Sequence, residues 1–537
     1  MPTFKLDGLD VPFEPGDTII KAAHRVGVDI PHYCWHPGLS VAANCRMCLV
    51  EIGPPPGRKP LMLDVFEWDK GRQDYVQQRK PKLQPACQQA AVEGLDVKSQ
   101  TSEHVKRARA AVQELLLLNH PVDCPICDQA GECRLQDYWL EHGTRKKRML
   151  DERVHKPKAV VFGPTIVYDA ERCIVCTRCV RFVEEVAKDP CLDKRERGNL
   201  SEIVLSPGRQ LDNAYTLMTE YVCPVGALTA QDFRFKARVW FLRSARSVCV
   251  GCATGCNSFA DFDPRDQKVY RYRPRENMQV NRYWMCDEGM LDYQRIHQGR
   301  VETALVSGKP VARDKAIQKA AKLLQDAKPE LLAVVLSAEH SNEDNFALLT
   351  LVRDRLGSSQ VFIAGRPDGE GDDVLRDKDK NPNRAGVLAL AGAAPHSVSE
   401  LFKAVEAGKV THIVSLGSEA FGSSADDFKA LKHVTRVALA THTGPLTSGA
   451  AVVLPAGSWV ESEGTFVNKK GLHQQAERVI SPVADARPAW KLASDLAAAL
   501  GKPLDFKRVR DVQRVMLGGE GAAALPRPSE NPLGAPA

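Results

Sequence analysis

The residues most able to do chemistry are the 16 cysteines, which all fall between Cys34 and Cys286 and leave the rest of the chain without one. Thiols this dense in a reducing compartment serve metal or redox chemistry rather than disulfides. Their spacing forms four groups. Cys34, Cys45, Cys48 and Cys87 make the first, Cys124, Cys127 and Cys133 the second. Cys173, Cys176, Cys179 and Cys223 make the third, and Cys249, Cys252, Cys256 and Cys286 the fourth. Cys191 is left over, in an Asp-Pro-Cys-Leu-Asp loop that reads as a spare thiol, and the second group is one ligand short.

A two-iron cluster needs three thiolates on one irregular loop, where backbone amides donate to sulfur, and a fourth from a distant segment. Cys34, the run Asn44-Cys45-Arg46-Met47-Cys48 and the remote Pro85-Ala86-Cys87 meet that need. They resemble the [2Fe–2S] ferredoxin arrangement, with C-x10-C-x2-C in place of the plant-type C-x4-C-x2-C. In the second group His120, four residues ahead of Cys124, is the nearest candidate for the missing ligand of a cubane. The bland role for a histidine before a proline is a loop or capping residue. The third group, Cys173-Ile-Val-Cys176-Thr-Arg-Cys179 with a distant Cys223-Pro224, is a bacterial-ferredoxin run. A two-cluster ferredoxin has a cysteine where this chain has Val183, so Cys223 must be the fourth thiolate. The fourth group, C-x2-C-x3-C with Cys286 about thirty residues on, resembles the N-terminal cluster domain of molybdopterin oxidoreductases. Zinc competes for the first, third and fourth groups, most seriously for the fourth, because C-x2-C elements on hairpins also hold zinc.

The elements that must position these ligands are partly readable. Short strands over 3–6 and 11–13 flank the Gly8 turn, and Asp17 is placed to cap a helix over 18–26 with Ile19, Ala22, Ala23 and Val26 inward. Val105, Ala108, Val112, Leu115 and Leu116 form one apolar helical stripe that Pro121 ends. Beyond the last cysteine, strand-like runs (332–336, 361–364, 412–416, 436–440, 451–454) alternate with helical ones (315–327, 343–356, 398–407, 425–433). That alternation predicts a parallel sheet with helices on both faces. Residues 368–383 read as a polar loop. The expected parts are a [2Fe–2S] ferredoxin-like β-grasp at 1–98, a His/Cys3 [4Fe–4S] segment at 99–150 and a [4Fe–4S] ferredoxin-like domain at 151–240. A molybdopterin-oxidoreductase-type [4Fe–4S] domain follows at 241–300, then a truncated, degenerate molybdopterin-oxidoreductase-like α/β domain at 301–517 and a disordered tail at 518–537. The fold class is thus multidomain α+β and α/β.

Composition excludes several alternatives. With 43% hydrophobic and 26% charged residues, the 537-residue chain can bury several cores, and a net charge of +6 argues for neither nucleic acid nor an anionic membrane. The start lacks the features of a signal peptide, and the apolar runs at 331–337 and 385–394 are core-sized rather than membrane-spanning. The basic run 145–148 reads as a solvated loop. Gly365–Gly371 lacks a proper GxGxxG, so no nucleotide loop is evident.

The local pattern H-x3-C-x2-C-x5-C and the order of all four motifs resemble the large iron–sulfur subunit family of NADH-quinone oxidoreductase, respiratory complex I. The likeness runs over roughly residues 1–500 and is most specific over the first 290. It implies iron held by His120 and the four cysteine groups as one [2Fe–2S] and three [4Fe–4S] clusters, with no FMN, NAD or molybdopterin on this chain. It also implies electrons arriving from NADH-reduced FMN on a partner subunit and leaving through further iron–sulfur subunits towards quinone. The chain would then sit on the cytoplasmic side of a bacterial inner membrane, with only indirect membrane contact and no nucleic acid. The quartet at 249–286 points to a bacterial member, and the family holds that cluster off the main electron path. Segment 451–471 resembles the strand and loop near the molybdopterin cofactor, but with no cysteine after Cys286 it reads as scaffold. Three alternatives remain: an electron-transfer subunit of a NAD-linked formate dehydrogenase or hydrogenase, a formate dehydrogenase catalytic chain, which the missing metal ligand disfavours, and a multi-zinc scaffold.

Overall fold

The computed structural model describes residues 1–54, 57, 59–144, 148–392, 395–417 and 431–518. The expected tail beyond Gly518, most of the expected helix at 425–433 and residues 145–147 of the basic run lie outside them. The chain divides into two compact units, one over Met1–Val239 and one starting at Trp240.

In the first unit, β1 (Thr3–Leu6), β2 (Leu9–Pro12), β3 (Leu49–Gly53), a short strand Gln84–Pro85 and a strand Asp96–Lys98 form one mixed sheet. Helix α1 (Ile19–Arg25) covers it with Ile19, Ile20, Ala22 and Ala23. Two expectations change here. The second strand starts at Leu9, because its pairing with β1 begins directly after the Gly8 turn. The helix cap is Thr18, whose hydroxyl accepts from the Lys21 amide; the Asp17 carboxylate accepts instead from the Glu14 amide at 2.8 Å and pairs with Arg25. A second helix, α2 (Glu103–Leu117), buries Val105 together with Arg109 and Gln113, whereas Leu115 of the expected apolar stripe faces solvent. The reason is local: Arg109 donates to the Ser99 hydroxyl and the Leu49 carbonyl, and Gln113 donates to the Leu135 carbonyl and accepts from Tyr33. Buried polar groups with this many partners displace an apolar face.

Helix α3 (Arg134–His142) follows the second cysteine group. The third lies between antiparallel strands Ile166–Tyr168 and Leu228–Ala230, with α4 (Arg178–Glu185) and the short helix Met218–Val222 packed beneath.

In the second unit a three-stranded antiparallel sheet, Arg243–Val248, Asn257–Asp263 and Lys268–Pro274, carries the fourth group at its turns. The remaining strands include an eight-stranded sheet among the described residues, parallel through its centre: Leu332–Ser337, Gln360–Ala364, His412–Leu416, Thr435–Ala440 and Val452–Pro455. All five expected strands are there, and alternate residues feed apolar cores on opposite faces (Val334 and Leu336 to one, Ala333 and Val335 to the other). The expected helix at 343–356 is a helix over Asn342–Leu349 that widens into a π turn at Thr350–Arg355. Segment 368–383 is irregular as expected, and helices at Arg384–Ala391, Ala489–Ala499 and Val509–Met516 add to the expected set. Among the described residues no helix is long and apolar enough to cross a membrane.

Candidate metal centres

Each cysteine group converges, and each by a different local device. In the first, the Cys34 amide donates to Cys45 Sγ at 3.5 Å, while Cys48 pairs with Cys87. The Cys45 thiol donates to Cys34, which holds Cys34 well below the ordinary thiol range, at about 5, and pushes Cys45 up. The loop needs left-handed backbone at Arg46 (φ 59°), which turns successive amides inward.

Cys124, Cys127 and Cys133 line a cavity of about 400 Å³ whose wall also contains His120. Burial pushes His120 down to about 4, so its ring is neutral, and its Nδ1 is buried without a hydrogen-bond partner. A neutral imidazole on the wall of a cavity lined by three thiols has the chemistry of the ligand a three-cysteine set lacks. Backbone amides of Gln129 and Gln136 support Cys127 and Cys133. Gly226 closes the back: a Cβ there would collide with Cys127 Sγ.

The third group is enclosed. Cys173, Cys176, Cys179 and Cys223 line one small space with Ile174, Ile203 and Val225. The Val175 amide donates to Cys173 Sγ at 3.3 Å, and the Tyr168 hydroxyl supports the same sulfur. Val175 (φ 51°) and Thr177 (φ 61°) are β-branched residues in left-handed backbone, a strain kept where the loop must wrap a centre. Burial pushes Cys173, Cys176 and Cys223 up to about 11. Such thiols lose their protons only when a cationic centre replaces them.

In the fourth group the Cys249 amide donates to the Cys256 carbonyl at 2.8 Å, and the Gly251 amide to Cys249 Sγ at 3.4 Å. Cys286 caps the helix Asp287–Leu291 and accepts from the Gly289 amide at 3.4 Å. A Cβ on Gly289 would lie 2.9 Å from Cys249 Sγ, so glycine is what lets the two segments close. Cys191 is buried apart from all four groups, near Asn213. Among the described residues no three His, Cys, Asp or Glu side chains close to the spacing of a single bound ion.

Two arginines inside the third motif, Arg178 and Arg181, carry no mark in the sequence beyond their position. Both are buried and donate only to backbone carbonyls in the hydrogen bonds described. The one available signal is that they stand in or beside a C-x2-C-x2-C run, where surface charge is not needed.

The crevice at the carboxyl ends of the parallel strands, where α/β folds bind ligands, is about 40 Å³. Arg295 stacks over Trp459 at 4.3 Å across it, and His340 and His442 line it. That is room for a water or two, far below the roughly 300 Å³ or more of a cofactor pocket. Molybdopterin does not fit the described residues.

The sequence matches four families: a 2Fe-2S iron-sulfur cluster binding domain over residues 1–102, the NADH-ubiquinone oxidoreductase-G iron-sulfur binding region over 109–148, the ferredoxin-like domain of NADH-quinone oxidoreductase subunit 3 over 163–229, and molybdopterin oxidoreductase over 318–499. Fold, ligand sets and these matches define a modular iron–sulfur protein with both 2Fe-2S and 4Fe-4S binding domains. The G subunit of NADH-quinone oxidoreductase from Streptomyces coelicolor is 31% identical over 488 residues, covering 86% of this chain and 53% of that one. Its counterpart in Rickettsia felis is 33% identical over 362 residues, 67% of this chain and 50% of that one. The NADH-ubiquinone oxidoreductase 75 kDa subunit of Reclinomonas americana is 32% identical over 398 residues, 72% and 53% of the two chains. This chain belongs to the family of the NADH-quinone oxidoreductase G subunit, and it spans about half the length of the curated relatives it matches.

Proposed function

We propose that the chain is an electron relay of a proton-pumping NADH-quinone oxidoreductase, accepting electrons from an FMN- and NADH-binding partner and passing them to iron–sulfur partners that lead to quinone. Cys34, Cys45, Cys48 and Cys87 would hold a [2Fe–2S] cluster. His120 with Cys124, Cys127 and Cys133, the Cys173 group with Cys223, and the Cys249 group with Cys286 would hold three [4Fe–4S] clusters. When bound, each cluster takes up and gives back a single electron. The protein's own part is to fix their positions, exclude water and set net charge and hydrogen bonding at the sulfurs. No nucleophile, proton donor or substrate pocket is required of this chain, which would sit peripherally on the cytoplasmic face of the membrane through its partners.

The observation that supports this reading is His120, which lines a cavity together with three cysteines that would otherwise be one ligand short and whose Nδ1 has no hydrogen-bond partner. The test is anaerobic reconstitution followed by metal analysis and potentiometric EPR. The expected result is about 14 iron atoms per chain, two from the first site and four from each of the others. A colourless protein with stoichiometric zinc and little iron overturns the reading.

A further inference from the structure

One guanidinium nitrogen touches ligand residues of two different centres. Arg181, on α4, donates through Nη2 to the Cys34 carbonyl at 2.5 Å and to the Cys176 carbonyl at 3.4 Å. Its Nη1 donates to the Ser40 carbonyl and its Nε to the Thr177 carbonyl at 3.3 Å. Arg178, one turn earlier, repeats the pattern: Nη2 reaches the Trp35 carbonyl at 2.6 Å, and Nη1 the Val222 carbonyl, next to Cys223, at 3.2 Å. The seam is closed by Asn44, which donates to the Val175 carbonyl at 3.2 Å, and by Glu185, which accepts from the Ser40 amide at 2.8 Å. Together these bonds tie the loop of the first cysteine group to the motif of the third.

We infer that Arg181, assisted by Arg178, is a positioning residue that sets the spacing and the electrical coupling between the first and third cluster sites. This rests on the electron-relay reading above. Two properties suit arginine to the place. Its planar fork of five donors can hold carbonyls of two loops at once, where a lysine offers a single mobile point. Its charge is permanent, and within a buried seam it acts through a low dielectric on thiolates of both sites. The Arg181 charge bears on Cys34 and Cys176 alike. A fixed cation between two centres that each become more negative on reduction favours the reduced state of both.

The test uses the full chain with its clusters loaded. Arg181→Gln removes the charge. It is expected to lower the midpoint potentials of the first and third clusters together, while the second and fourth, as internal references, stay in place. Arg181→Lys keeps the charge but not the fork. Its expected signature is near-normal midpoints with weakened magnetic coupling between the first and third clusters when both are reduced, read by EPR line shape. Unchanged midpoints in a fully loaded Arg181→Gln protein, or an equal shift of all four clusters, overturns the proposal. If Arg181→Gln does not load, Arg181→Lys decides: unaltered coupling overturns the proposal. So does failure to load while the exposed control Arg195→Lys loads normally, because the residue is then a folding contact only. An unaltered chain that takes up no iron overturns the relay reading instead, which keeps the two failures apart.

Discussion

The second ligand set borders a cavity of about 400 Å³, with Val122 and Ile126 beside it 70% and 63% exposed, whereas the four cysteines of the fourth set are 3% to 7% exposed. Their surroundings differ in kind as well. The second set is framed by the ends of two helices and an unpaired histidine. The fourth is stitched into the α/β domain: the Ala253 amide donates to the Asp379 carbonyl, the Lys469 amide to the Ala253 carbonyl, and the Asn468 and Gln474 side-chain amides to the Thr254 and Gly255 carbonyls. An open centre can hand an electron across a protein boundary. A centre hydrogen-bonded this extensively to one domain should couple to the folding of that domain, because ligand geometry of this kind does not survive unfolding.

Ligand removal is the strongest way to break that comparison. Cys127→Ser, like Cys176→Ser in the third set, should reduce NADH-to-quinone turnover per assembled complex by more than the roughly 100-fold that lost support of a ligand costs. Cys286→Ser should lower the yield and thermal midpoint of the complex but leave most of its turnover. If Cys286→Ser is as inactive per complex as Cys127→Ser, with the other clusters intact, the fourth centre is on the path and the contrast is wrong.

The histidine sharpens the same contrast. His120→Ala should lose the second cluster's EPR signal, because a three-thiolate set in an open cavity leaves one iron to solvent. His120→Cys should keep the signal at a lower midpoint, since an added thiolate makes the cluster one unit more negative. An unaltered signal and midpoint in His120→Ala places the fourth ligand elsewhere.

A third prediction concerns the sheet beneath the closed centre. Burial raises the Asp261 carboxyl, but Arg273 and Arg271 outweigh it and hold the group far below the carboxylate range. Asp261→Asn removes the carboxylate charge that both guanidinium groups share and should cost about 3–5 kcal/mol in the unfolding of the second unit at pH 7. With a depressed folded value, the contribution is present above the unfolded carboxylate range and lost as pH falls. The unfolding midpoint of the variant should therefore converge on that of the parent in acid, while cluster potentials in the first unit stay constant.

The smallest effect lies deeper in the same unit. Burial pushes Glu343 up to about 6, even though Gln513 and Thr465 donate to it. The folded state therefore binds this proton more tightly than the unfolded chain. The stabilisation is complete below about pH 4.5 and is lost as pH rises through about 6, a change of about 2 kcal/mol. Glu343→Gln should flatten that slope in unfolding measured from pH 4.5 to 7.5. An unchanged slope assigns the pH dependence to another group.

Much of the α/β sheet is legible in the sequence because its strands are short apolar runs bracketed by helical ones, and burial on both faces demands that composition. The cysteine groups are legible because each contains a C-x2-C pair, where spacing alone constrains geometry. The helices at Arg384–Ala391, Ala489–Ala499 and Val509–Met516 are not. The first two are small and apolar without a sharp stripe, and the last starts at an Arg508 cap that no simple capping rule favours.

Three features follow from the linear chain alone: how the cysteines group by spacing, that one group has three cysteines where the others have four, and that the residues after Cys286 include a sheet parallel through its centre. All of them rest on spacing and periodicity, which are properties of the chain read in order. Other features exist only once the chain is folded. Thr18 rather than Asp17 caps the first helix, and Arg109 and Gln113 turn inward in place of the leucine stripe. Gly226 backs Cys127, and Arg181 reaches both Cys34 and Cys176. Most of these depend on groups about 50 to 150 residues apart, or on which of two adjacent polar side chains finds a better partner. Free energies of about a kilocalorie per hydrogen bond settle such choices, and the chain read in order does not contain the partners.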